Sequence, residues 1–178
     1  MWVQRVIELT GWEPLGVSVD WAAIEAELGV PLPADYKQLY ETFGGVFSDS
    51  GYFLGRDEAV VFDFLAQWRV ALSVDGGSGL GGTSAVASYA IYAPGGKGLV
   101  GWGSTERADE YFWLVDAERP GDHPILARSQ SGGAGDRYDM STSEFLHRVL
   151  ADADFLPFGI ARYNLGTLFE AGSGGRPL

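Results

Sequence analysis

The sequence predicts an α+β fold: a single domain of helices packed on a mostly antiparallel sheet. Two observations carry this. Helical spacing dominates residues 20–73, while strand-like patterning dominates residues 89–130 before one more helical pattern at 141–152. A Gly-rich break, DGGSGLGGTS at Asp75–Ser84, separates the two regimes. Helices in one block and strands in another give segregated layers, whereas alternating βαβ units would give a parallel sheet. With 178 residues, 46% of them hydrophobic and 20% charged, the chain is of globular composition. At this length about 70% of the unfolded surface can be buried, so no covalent staple is needed.

The elements follow in order. Asp20 is a good N-cap for a short helix with Trp21, Ile24 and Leu28 on one face and Gly29 as its stop. Pro33 suits a first helical turn, and Asp35 in that turn favours the helix dipole. Leu32, Tyr36, Leu39, Tyr40 and Phe43 recur at helical spacing until Gly44 and Gly45 end the run. YFLG at 52–55 reads as a short strand. RDEAVVFDFLAQWRVALS at 56–73 reads as a helix, with Val60, Val61, Phe64, Leu65, Trp68, Ala71 and Leu72 on one face. After the Gly-rich loop, YAIYAPGGKGLVGW reads as strand, turn, strand. EYFWLVD is apolar on both faces, as in a strand covered on both sides. PILARSQ is a further strand. STSEFLHRVLAD opens with a capping box, Ser141 and Glu144, and carries Phe145, Leu146, Val149 and Leu150 as its apolar face. FLPFGIARYNLGTLF reads as one more helix before a flexible GSGGRPL end.

Composition narrows the function. There is no cysteine, which excludes disulfides, thiolate nucleophiles and Cys-based zinc sites, and fits a cytoplasmic protein. The N-terminus lacks a basic start followed by an apolar block, so no signal peptide is expected. No apolar run reaches the roughly 20 residues that span a bilayer, so no membrane partner is expected. Lys and Arg total 12 against 24 Asp and Glu, a net charge of −12. Such acidity repels phosphate backbones, so nucleic acid is not an expected partner and a basic protein is.

Catalytic patterns are weak. Gly77, Gly79 and Gly82 fit G-x-G-x-x-G but lie between a helix and a strand, the reverse of the dinucleotide-binding order. Glu144 and His147 form one E-x-x-H pair where a carboxylate di-metal site needs two. His123, in GDHP, reads as a turn residue. No G-x-S-x-G elbow or P-loop occurs. No catalytic, cofactor-binding or metal site is expected; what remains is binding.

WAAIEAELGVPLPADYKQLYETFGG resembles the N-terminal signature of the SUKH superfamily, the Smi/Knr-type domains. The matching residues are Trp21, Ile24, Glu25, Leu28, Gly29, Leu32, Pro33, Asp35, Tyr36, Leu39, Phe43, Gly44 and Gly45. GLVGWGSTERADEYFWLVD is similar to a second family segment through Trp102, Gly103, Thr105, Asp109 and Trp113. The resemblance spans residues 20–152, with the Gly-rich insertion near 75–84. Residues 1–19 and 153–178 are then N- and C-terminal extensions. The resemblance implies helices on a mostly antiparallel, curved sheet and no catalytic residues. It also implies an immunity protein of a polymorphic toxin system, which binds a cognate toxin, often a nuclease, and blocks it. The alternative is an interaction or scaffold module in a regulatory or signalling assembly. Asp49, Glu106, Asp109 and Glu110, in acidic loops, are the expected partner contacts. The oligomeric state is left open.

Overall fold

Strand β4 (Glu110–Asp116) is a central strand of the sheet, and its five interior residues are all buried. The computed structural model describes residues 1–47, 51–53, 55, 63–75, 89–105, 108–129, 135–155 and 157. Among these the helices are α1 (Trp2–Thr10), α2 (Trp21–Leu28), α3 (Ala34–Phe43), α4 (Phe64–Asp75) and α5 (Thr142–Ala151). The remaining strands are β1 (Val46–Phe47), β2 (Gly51–Phe53), β3 (Lys97–Thr105), β5 (Ile125–Arg128) and β6 (Asp136–Tyr138). Every neighbouring pair is antiparallel, in the order β1-β2-β3-β4-β5-β6. The sheet is thus an antiparallel meander and the α+β class is as expected.

A bulge shapes its centre. Gly101 pairs with Phe112 and Gly103 with Tyr111, which leaves Trp102 as the extra residue. A bulge re-aims a side chain and bends the strand. Here it brings Trp102 against Tyr111 at 5.2 Å and Trp113 at 6.0 Å between ring centroids. Tyr36 of α3 stands edge-on to Trp113 at 4.7 Å, and Trp21 of α2 edge-on to Tyr36 at 6.1 Å. Phe145 of α5 meets Trp102 at 6.1 Å. These edge-to-face contacts join three helices to the sheet, each adding about 0.5–1.5 kcal/mol beyond area burial. The Tyr36 hydroxyl donates to the Trp102 carbonyl at 3.1 Å, so the buried phenol is satisfied at the bulge itself.

The helix ends form as their sequences dictate, except that the Glu144 carboxylate pairs with Arg148 and leaves the capping box of α5 half made. The Asp20 carboxylate accepts from Ala23 N, and Gly29 closes α2 at φ 75°. Ser141 Oγ accepts from Glu144 N at α5. Pro33 sits at the N-cap of α3, one step before its first turn, and Gly44 ends that helix at φ 75°.

Four expectations change. The helix expected from residue 56 begins at Phe64, where Asp63 Oδ1 accepts from Ala66 N; residues 56–62, with Val60 and Val61, lie outside the described residues. The strand expected at Tyr89–Tyr92 is a single parallel bridge, Ile91 to Leu99. It is held by Tyr92 N to Leu99 O and Leu99 N to Ala90 O, both 2.9 Å. Pro94, which has no N–H to donate, keeps the segment from running on as a ladder strand. The N-terminal stretch, to which no element was assigned, contains α1, which packs on α5 and α3 with Val3 and Val6 fully buried. β6 is also additional. The loop at 76–84 and the helix expected at 155–169 fall almost wholly outside the described residues.

Candidate functional site

Three connections meet at one end of the strands β4, β5 and β6. The first is the signature loop Pro31–Asp35 between α2 and α3. The second is Gly121–Pro124 between β4 and β5, and the third Asp139–Thr142 between β6 and α5. Together they enclose a cleft of about 710 Å³.

Each wall is fixed by a long-range bond. His123 Nε2 lies 3.0 Å from the Pro31 carbonyl, which places the ring proton on Nε2 and ties the second connection to the first. His123 is therefore part of the wall, 9% exposed, and more than the turn residue expected. Asp35 Oδ2 accepts from Ser143 N at 2.7 Å and Ser143 Oγ at 2.8 Å, which ties α3 to the start of α5. Asp35 stands in the first turn of its own helix as expected and also caps another helix. Trp113 Nε1 donates to Thr142 Oγ1 at 3.0 Å, which anchors α5 to β4. Glu25 braces the loop from behind by accepting from Leu32 N at 2.8 Å and pairing with Lys37 at 2.7 Å.

The lining is prolines and small or apolar side chains with three carboxylates, Asp35, Asp122 and Asp139, and no Lys or Arg. The Asp122 and Asp139 side chains are 63% and 72% exposed. Next to Asp139, burial and then the Asp136 carboxylate push the Tyr138 phenol up to about 12, so it stays neutral. Ser141 Oγ is engaged by Glu144 N, and His123 Nε2 by Pro31, so both are committed to structure. Among the described residues no cluster of three or more His, Asp or Glu could hold a metal ion. No helix of these residues is long and apolar enough to cross a membrane.

A second, smaller cleft of about 150 Å³ lies between α4 and the sheet, beside Trp68, Phe112 and Glu110.

Of the four expected acidic contacts, Asp109 and Glu110 fall within the described residues. Asp49 and Glu106 lie outside the described residues. Asp109 is 5% exposed and locks the β3–β4 turn: its carboxylate accepts from Thr105 Oγ1 and its N–H donates to the same oxygen, both 3.2 Å. It is no surface charge, because an unpaired carboxylate at that depth would be too costly. Glu110 is partly exposed and pairs with Arg128 across β4 and β5. Sequence reading missed the cleft acids Asp122 and Asp139, which sit in ordinary turns. The one available signal was Asp35 beside two prolines.

The other signature residues hold the scaffold. Trp21 Nε1 donates to Glu41 at 2.8 Å; Leu32 and Gly103 are buried; Gly45 follows α3 at the turn into β1. Gly29 and Gly44 supply the left-handed φ values given above.

No curated protein and no solved structure is significantly similar to the chain. A family model does match, that of the SMI1 / KNR4 family (SUKH-1), over residues 18–160. That span takes in α2 through α5, the bulged Trp102 and all three walls of the cleft. The chain belongs to the SMI1 / KNR4 family (SUKH-1).

Proposed function

We propose that the protein is a non-enzymatic, cytoplasmic immunity protein that neutralises a cognate toxin by binding it directly. Family membership over residues 18–160 is the observation that carries this reading. Two features support it. The net charge of −12 suits a basic partner, and a nuclease toxin needs a basic face to hold its phosphate backbone. The cleft is a preformed concavity braced by Asp35 and His123, as suits a docking surface. The test is titration of this protein into the activity assay of a toxin encoded beside it. Stoichiometric loss of toxin activity is expected. Full activity at molar excess would refute the pairing, and an assembly partner without toxicity, recovered from the native cell, would favour the regulatory reading.

A further inference from the structure

We infer that the cleft between Pro31–Asp35, Gly121–Pro124 and Asp139–Thr142 is the docking site, and that it takes an extended, basic segment of a protein partner with apolar side chains beside its Lys or Arg. This rests on the protein-binding reading and names its place and chemistry.

The charge of the lining selects the occupant. Asp35, Asp122 and Asp139 face the space with no cationic side chain among them. The N-termini of α3 and α5 open beside the cleft, which alone would favour an anion. Asp35 offsets this, because its carboxylate already accepts from Ser143 at the start of α5. The outer carboxylates then dominate. Asp122 lies 3.8 Å from Arg119 and Asp139 2.7 Å from Arg137, but both pairs are mostly exposed and therefore weak. An incoming guanidinium or ammonium can replace either partner. The apolar wall of Pro31, Pro33, Pro124 and Met140 suits an aliphatic side chain beside the cation. A volume of about 710 Å³ is in the range of sites that enclose a ligand of several residues' bulk.

The wall is also stiff. Three of its residues are prolines, and the bonds from His123 to Pro31 and from Asp35 to Ser143 fix its spacing. A preorganised groove loses little conformational freedom on binding.

The experiment is selection of phage-displayed random peptides on the full chain, with two variants as counter-targets. Asp122→Lys with Asp139→Lys reverses the exposed charges, and Ala34→Trp fills the cleft while leaving them in place. Thermal melts of both establish that they are folded. The expected result is enrichment of peptides combining Arg or Lys with aliphatic residues, each binding both variants about tenfold or more weakly, as like-charge contact and steric filling require. Enrichment of acidic or phosphorylated peptides, equal binding to the variants, or no enrichment would overturn the proposal. So would a dimer in sedimentation that the same substitutions dissociate, since the occupant would then be a second copy. Toxin neutralisation that survives both variants would refute the cleft and leave the immunity reading standing.

Discussion

Replacing Asp35 tests the link between α3 and α5. Its Oδ2 accepts two hydrogen bonds from Ser143, a residue 2% exposed and 108 positions away. In Asp35→Ala the Ser143 N–H loses its partner, and the Ser143 hydroxyl keeps only the longer 3.3 Å contact with Ser141 Oγ. A hydrogen bond to a charged group contributes about 1.5–3 kcal/mol, and a buried donor left unpaired costs about 1–3 kcal/mol. These overlap, so the expected loss is about 3 kcal/mol. For a chain of this size that corresponds to a fall in Tm of about 6–12 °C. Asp35→Asn keeps an acceptor oxygen and loses only the charge beside the N-terminus of α5, so about 1 kcal/mol is expected. The assay is urea denaturation of both variants, with Ser143→Ala completing a double-mutant cycle. A loss below about 0.5 kcal/mol for Asp35→Ala, or full additivity with Ser143→Ala, would show that the two residues are not coupled.

Removing residues 1–11 deletes α1 and two fully buried valines at about 1.5–3 kcal/mol each, so a loss of about 3 kcal/mol or more is expected in chemical denaturation; unchanged stability would mean that α1 does not belong to the core. Gly98→Ala would place a Cβ 2.7 Å from the Ala90 carbonyl and from Tyr92 N, and should cost about 1–3 kcal/mol by calorimetry as the parallel bridge at Leu99 is forced apart. His147 packs on Trp2 at 5.2 Å between α5 and α1. Burial, then Arg5 and Arg148, lowers its pKa from the ordinary 6.5. The unfolded chain therefore takes up this proton first as pH falls, so stability present above about pH 6.5 is lost below it, until the folded protein is protonated too. Denaturation midpoints should fall from pH 7.5 to pH 5.5, and His147→Gln should flatten that slope; an unchanged slope would exclude His147 as its source.

Local signals made much of the fold legible. The cap at Asp20 and the stops at Gly29 and Gly44 depend on atoms within four residues of themselves and formed as read; of the capping box only the Ser141 half formed, because the Glu144 carboxylate pairs with Arg148 instead. The apolar run of β4 was legible because burial on both faces leaves no polar position to confuse the period. Helix α1 was hidden for a local reason: Met1 offers no side-chain cap to mark its start. Val3, Val6 and Ile7 did carry helical spacing. β6 is three residues of Asp-Arg-Tyr, which reads as turn, and becomes a strand only because β5 offers it an edge. The cleft was least legible. Its walls come from residues 31–35, 121–124 and 139–142, and nothing local in the GDHP turn says that His123 reaches the Pro31 carbonyl. The burial of Asp109, expected in an acidic loop, was hidden too, since nothing in the acidic run around it says that it bonds back to Thr105.

The signature residues bear on binding through the scaffold they fix. Tyr36 ties α3 to the bulge at Trp102, and its neighbour Asp35 ties the same turn of helix to α5. Core and cleft are thus set by adjacent side chains, and a change that loosened one would loosen the other. Asp122 and Asp139 stand apart from this. They sit on connecting turns, mostly exposed, and could change without disturbing a core bond. If the cleft docks a partner as proposed, fold and partner choice are carried by different residues of it. The net charge of −12 adds a third contribution at longer range. It acts over about a Debye length, roughly 8 Å at physiological salt, and so on the rate of encounter. The shaped wall acts only after contact and so governs how long a complex lasts.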